Sequence, residues 1–335
     1  MKLDINIRIF FSALFLLLLA SAFSATYSYA AKPSTQATRA NTSAFACTGN
    51  GTGTISTPGT DECELQPDEQ KLSWKRIDLC TADPAEPTTT AATGLANCST
   101  FFRNDAGAEV SVKKGTGTQI GKAADYFPIP HGSYTHGIIT MGTIFKYKAS
   151  ILFSGNMKDP ANGTSATCVT KPAANNATLF AFTDNLNFAK SNVDCSANAV
   201  AAETTIGINT LSMTSDGQNC FHLKNFDGAD GIVAGYLVEA DGTLLDGVGS
   251  DDRIASGEIG CQSGSAGGIT SIVGIMNFTK PITIGPSTAG IQIKYNNTQG
   301  LKLDLNGSDT FYKFDVAFFD FTLTPKVSRA RGAWR

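Results

Sequence analysis

Charge is scarce in this chain. Only 16% of its 335 residues are Asp, Glu, Lys or Arg, against about a quarter in an average soluble domain. The net charge of −3 gives no electrostatic reason to bind nucleic acid or an acidic membrane. Histidine is scarcer still. His131, His136 and His222 are the whole set, which leaves few ways to build an acid–base pair outside the carboxylates. His131 and His136 flank Gly132-Ser133-Tyr134-Thr135, which is not a ligand spacing, so they read as solvated loop residues. No Gly-x-Ser-x-Gly occurs. Gly260-Cys261-Gln262-Ser263-Gly264 and Ser265-Ala266-Gly267-Gly268 lack the spacing of a nucleophile elbow. No window of helix length shows a 3.6-residue apolar period. No run beyond the first thirty residues is long and apolar enough to span a bilayer. The sequence therefore assigns no catalytic, cofactor-binding or metal-binding residue, and leans away from an enzyme.

What is present begins with an export signal. Lys2 and Arg8 bracket a weakly positive start, an apolar run follows from Ile9 to Ala20, and Ser28-Tyr29-Ala30 puts small residues where a signal peptidase reads. Residues 1–30 are expected to be a signal peptide, with cleavage before Ala31. The mature chain is then secreted, displayed at a cell surface or periplasmic.

All eight cysteines lie beyond that leader: Cys47, Cys63, Cys80, Cys98, Cys168, Cys195, Cys220 and Cys261. An even set in an oxidising compartment predicts four disulfides. Zinc is the rival, but no two of these cysteines stand two to four residues apart, as zinc sites usually require. Eight cysteines allow about 105 pairings; nearest-neighbour pairing is the simplest. Each such bridge would close a polar loop, for example the one through Pro84, Pro87, Thr88, Thr89 and Thr90, at about 3 kcal/mol per bridge in the chain-entropy account.

Residues 31–66 are rich in Thr, Ser, Gly and Pro and read as an exposed arm held only by its cysteines. From there to residue 325 the pattern is β. Leu72 and Trp74 share one face and Ile77 and Leu79 the other, so a bulge is expected at Lys75-Arg76. Tyr134–Phe153 is the longest alternating run, with Pro128 and Pro130 before it. Further strands are expected at Thr178–Thr183, Thr204–Thr214, Cys220–Leu223 and Ile232–Ala240, with an Asp241-Gly242 hairpin turn after the last. Ile269–Phe278 should end before Pro281. Asn296 to Gly300 should turn the chain back on itself. Tyr312 to Leu323 changes face at Phe318-Phe319, which implies a bulge or a crossing between sheets. About ten strands with long polar loops predict an all-β, disulfide-bonded β-sandwich or jelly-roll-like domain over 67–325, with a split near 171–176 as the alternative. Residues 326–335 form a basic tail, read as solubilising.

Three further features carry less. Asp227, Asp230, Glu239, Asp241, Asp246, Asp251, Asp252 and Glu258 make 227–258 acidic, but the segment matches no calcium-loop pattern, and Asp-Gly pairs make turns without metal. Asn-x-Ser/Thr triplets start at Asn41, Asn97, Asn162, Asn176, Asn277, Asn296 and Asn306; glycans would follow only in a eukaryotic secretory route. Tyr126, Phe127, Tyr134 and Trp74 are the candidates for an aromatic sugar platform. The expected function is an exported, non-enzymatic surface or structural protein, such as an adhesin-like module or a subunit of an extracellular assembly, whose partner is another protein or further copies of itself. A glycan- or ligand-binding module is the alternative, and a secreted hydrolase the third reading.

Overall fold

The computed structural model describes residues 47, 54–55, 62–113, 116–174, 179–180, 191–208, 212–213, 219–228, 231–244, 259–262, 268–306, 310–317 and 320–327. These residues form strands and loops with no α-helix, and a 3₁₀ turn stands at Ala123–Asp125. In chain order the strands begin with β1 (Thr54–Ile55), β2 (Glu62–Leu65), β3 (Glu69–Cys80), β4 (Cys98–Lys113), β5 (Gly132–Gly142), β6 (Ile144–Lys148) and β7 (Ser150–Lys158). Next come β8 (Thr164–Thr170), β9 (Leu179–Phe180), β10 (Val193–Asp194), β11 (Thr204–Gly207), β12 (Ser212–Met213), β13 (Asn219–Gly228) and β14 (Gly231–Val238). The last are β15 (Ile259–Gln262), β16 (Ser271–Ile284), β17 (Thr288–Asn296), β18 (Leu301–Asn306), β19 (Thr310–Val316) and β20 (Asp320–Val327).

They make two sheets and a ribbon. The seven-stranded sheet runs β10-β8-β7-β19-β18-β2, with β1 beside β7; the eleven-stranded sheet runs β12-β13-β14-β16-β5-β3-β6-β11-β9, with β15 on β13 and β4 on β3; β17 and β20 pair with each other. One apolar core joins all three, because alternate residues of each strand point inward. Trp74 of β3 stands edge-on to Phe321 of β20, with centroids 5.5 Å apart, and Phe311 is edge-on to both Phe153 and Phe314 at 5.8 and 4.7 Å. Such pairs add to area burial through the ring quadrupoles.

The centre of the core is polar. Gln70 Nε2 donates to Tyr147 Oη at 2.9 Å, Asn297 Nδ2 donates to Gln70 Oε1 at 2.9 Å, and Gln66 Nε2 donates to Asn297 Oδ1 at 3.3 Å. Burial pushes the Tyr147 and Tyr295 phenols well above their ordinary range, so both stay neutral. A second polar set ties β2 in: buried Glu64, half-buried Lys302 and buried Asp315 stand in one cross-strand row over β2, β18 and β19, and Lys313 Nζ lies 3.2 Å from Asp315 Oδ2.

Several expectations change here. The arm is not wholly exposed: β2 pairs with β18, and Cys63 and Glu64 are buried. Tyr134–Phe153 is not one strand but three, broken at Thr143 and Ala149, and β5 and β6 are interior, flanked by β16 and β3 and by β3 and β11. β17 and β18 do not form a hairpin; Asn297 is drawn into the core by Gln70, and the turn carries the chain from the ribbon to the seven-stranded sheet. β16 does not stop before Pro281 but runs to Ile284 with an irregularity. The bulge at Lys75 is there, between Trp74 and Arg76. So is the crossing after residue 317, since β19 and β20 lie in different sheets.

Three strands share an unusual irregularity. Asn104–Gly107 of β4 oppose Lys75 alone, residues 153–156 of β7 oppose Ala166 alone, and Phe278–Pro281 of β16 oppose Thr135 alone. Four residues against one is a large bulge, which bends the strand and re-aims its side chains.

The cysteines pair in nearest-neighbour order where their side chains are described: Cys47–Cys63, Cys80–Cys98 and Cys168–Cys195. The backbone of Cys220 stands directly opposite that of Cys261 across β13 and β15.

Candidate functional site

Side chains that could do chemistry gather on the outer face of the eleven-stranded sheet, beneath the loop Thr81–Asn97. The loop leaves the sheet at Cys80 and returns at Cys98, directly opposite in register. Pro84 and Pro87 are buried by it. Leu95 and Cys98 pack against a small separate core of Cys80, Ile138, Tyr236, Val238, Leu244, Val273 and Ile275. Leu244 N donates to Thr88 O at 2.9 Å, and Gly94 N to Ala85 O at 2.8 Å.

Two acids of the loop reach the sheet. Asp83 Oδ1 lies 3.5 Å from His136 Nε2 of β5. Glu86 meets Tyr236 of β14, whose phenol is raised above its ordinary range by burial first and by the Glu86 and Asp83 charges second. Burial lowers the His136 imidazole from 6.5, and Asp83 opposes that shift. Beside them Arg76 Nε donates to both oxygens of the buried Asp78, at 3.0 and 2.8 Å, while Thr100 Oγ1 donates to Asp78 at 2.7 Å.

Thr135, His136 and Asp83 have the order of a nucleophile, base and orienting acid. Thr135 Oγ1 is 2.9 Å from His136 Nδ1. A working relay needs the hydroxyl proton to point at the imidazole and the acid to grip the other ring nitrogen. Here Thr135 Oγ1 also lies 3.2 Å from Thr81 O, a second acceptor that competes with the ring for the one hydroxyl proton. Asp83 is too far for a hydrogen bond and its side chain is 82% exposed. The contact of Thr135 with Thr81 O joins β5 to the first residue of the loop.

The other sequence candidates disperse. His131 is exposed while His136 is buried, and the side chain of His222 lies outside the described residues. No group of three His, Cys, Asp or Glu that could hold a metal occurs among the described residues. Asp230, Asp246, Asp251, Asp252 and Glu258 of the acidic stretch 227–258 also lie outside them. Its described turn is held by hydrogen bonds: Asp241 Oδ1 accepts from Thr243 N at 2.9 Å and Thr243 Oγ1 at 2.6 Å, and Gly242 takes φ 87°. The aromatic platform does not assemble. Trp74 and Tyr134 are core residues, and Tyr126 donates to Ile120 O and packs on Phe101 and Phe102. Only Phe127 of the four is exposed. Of the glycan triplets, Asn97, Asn162 and Asn277 are exposed; Asn41, Asn176 and the side chain of Asn306 lie outside the described residues, as does the tail beyond Val327.

Sequence reasoning missed the Asp83–His136 and Glu86–Tyr236 contacts because each joins residues more than fifty positions apart. The one legible signal was the disulfide loop itself, which had to lie on something. The chain matches no known family model, no curated protein and no solved structure.

Proposed function

We propose that this is an exported, non-enzymatic structural module, built as a β-sandwich and working at a cell surface or within an extracellular assembly. The observation that carries it is the bracing. Each of three disulfides closes a loop between cysteines 16, 18 or 27 positions apart, on a frame whose core is filled with edge-packed aromatics. Disulfides persist in oxidising compartments and are rare in the cytosol. A short polar loop fastened at both ends, as 81–97 is, keeps its shape outside the cell. Among the described residues no helix is long and apolar enough to cross a membrane.

The test is to fractionate cells that make the protein and follow it through cytoplasm, envelope and medium, then ask whether it co-purifies with envelope or filaments. Recovery in an envelope or filament fraction supports the proposal. Recovery as a reduced cytoplasmic protein contradicts it. The hydrolase reading rests on the Thr135–His136–Asp83 chain; an ester or glycan hydrolysis that Thr135→Ala abolishes, with the melting temperature unchanged, would replace the structural reading with that one.

A further inference from the structure

The bulge of β16 opens a cleft of about 620 Å³. Its floor is Phe278, Ile282 and Leu323, all buried, and its walls are Pro281 and Pro325. Thr279, Thr283 and Lys280 stand exposed at the rim. We propose that this cleft binds a small amphipathic anion: one compact aryl or acyl body carrying a single carboxylate or sulfonate.

The cleft is made by the sequence at identifiable places. On the β5 side, four residues of β16 oppose Thr135 alone, and Pro281 has no N–H to give a ladder. On the other side β14 starts at Gly231, opposite Phe278, so among the described residues nothing pairs with β16 beyond that point on that edge. The Phe278 ring is seated over Gly137 in the middle of β5, where a Cβ would come within 2.7 Å of Phe278 Cζ. A glycine in the interior of a central strand weakens the strand and marks a close approach; here the approach is by the ring that floors the cleft.

The ligand class follows from what lines it. A volume of this size falls within the range for small-molecule sites, which are mostly apolar with a few placed polar groups. Among the described residues Lys280 makes no ion pair and no Asp or Glu lines the cleft. The apolar floor takes the body, Lys280 the anion, and the two threonine hydroxyls its remaining lone pairs.

The probe is 1-anilinonaphthalene-8-sulfonate, titrated by fluorescence against the folded chain, with N-phenyl-1-naphthylamine as its uncharged counterpart. The expected result is one saturable site per chain, a tighter affinity for the sulfonate, and at least a tenfold loss in Lys280→Glu. Lys148→Glu, an exposed lysine on β6, should leave the affinity unchanged. Binding that does not saturate, equal affinity for the uncharged probe, or equal effects of the two lysine variants would each overturn the assignment. Both variants change surface side chains, and matched melting temperatures confirm that the comparison is between folded proteins.

Discussion

Single side chains hold the loops, and Asp159 shows how. It is buried at the end of β7, where Oδ1 accepts from Ala161 N and Gly163 N at 2.7 and 2.9 Å, and Oδ2 accepts from Cys195 N at 2.8 Å. One carboxylate thus fixes the β7–β8 turn, with Asn162 at φ 68°, and the strand that carries the Cys168–Cys195 bridge. Removing it leaves buried N–H groups without an acceptor. Asp159→Ala should cost about 3 kcal/mol in urea unfolding and Asp159→Asn about half of that, since the amide keeps one acceptor oxygen; equal, negligible costs would show that the turn forms without the carboxylate. His136 makes stability depend on pH. Its folded imidazole titrates below its ordinary 6.5, chiefly through burial, so the unfolded chain binds the proton more readily. That term is absent above the unfolded value and grows as pH falls from about 7 through it, lowering stability. Replacing His136 with Gln should flatten the fall in melting temperature over that window. A slope unchanged by the substitution would place the pH response elsewhere.

At the scale of elements, the disulfide loop and the strand edges govern behaviour. Losing the Cys80–Cys98 bridge through Cys80→Ala with Cys98→Ala should cost about 3 kcal/mol. It should also speed hydrogen exchange at Gly94 and Leu244, whose amides are bonded to and by the loop, while the amides of β5 stay protected. Uniform acceleration across the sheet would mean that the loop is not a separate unit. Edge pairing by the Tyr134–Phe153 region is closed off, because β5 and β6 are interior. The long edge of the eleven-stranded sheet is β4, and it is blunted: Phe127 N bonds Phe101 O, Thr118 Oγ1 bonds Ser111 O, and the bulge Asn104–Gly107 with its Arg103–Asp105 pair interrupts the middle. These are devices that discourage edge-to-edge growth at β4. Strand existence and side-chain facing were legible in the sequence because the period of two survives in Leu72, Trp74, Ile77 and Leu79. Partner strands were not. Ile293 and Tyr295 alternate in the same way whether β17 pairs with β18 or with β20, and the choice rests on contacts far apart in sequence, such as the β17–β20 ladder and the bond from Asn297 to Gln70. Strand breaks at Thr143 and Ala149 were equally silent, since neither is a turn former.

For the whole molecule, composition and cysteine spacing conveyed more than any motif. An all-β frame held by disulfides was readable from the even cysteine count, the absent helical period and the polar loops between; the pairing was not, and nearest-neighbour order was only the simplest of many, which the three described bridges follow. The gathering of Asp83, Glu86, His136 and Tyr236, and the cleft at β16, were not, because both arise from how distant segments lie on one sheet. On the proposed reading the protein folds and is braced outside the reducing cytoplasm. The most direct test of that reading is disulfide mapping by mass spectrometry on protein taken from its native cells, digested after alkylation and without reduction. The expected peptides join Cys47 to Cys63, Cys80 to Cys98, Cys168 to Cys195 and Cys220 to Cys261, on a chain that starts at Ala31. Alkylated cysteines on a chain that still carries Met1 would contradict it.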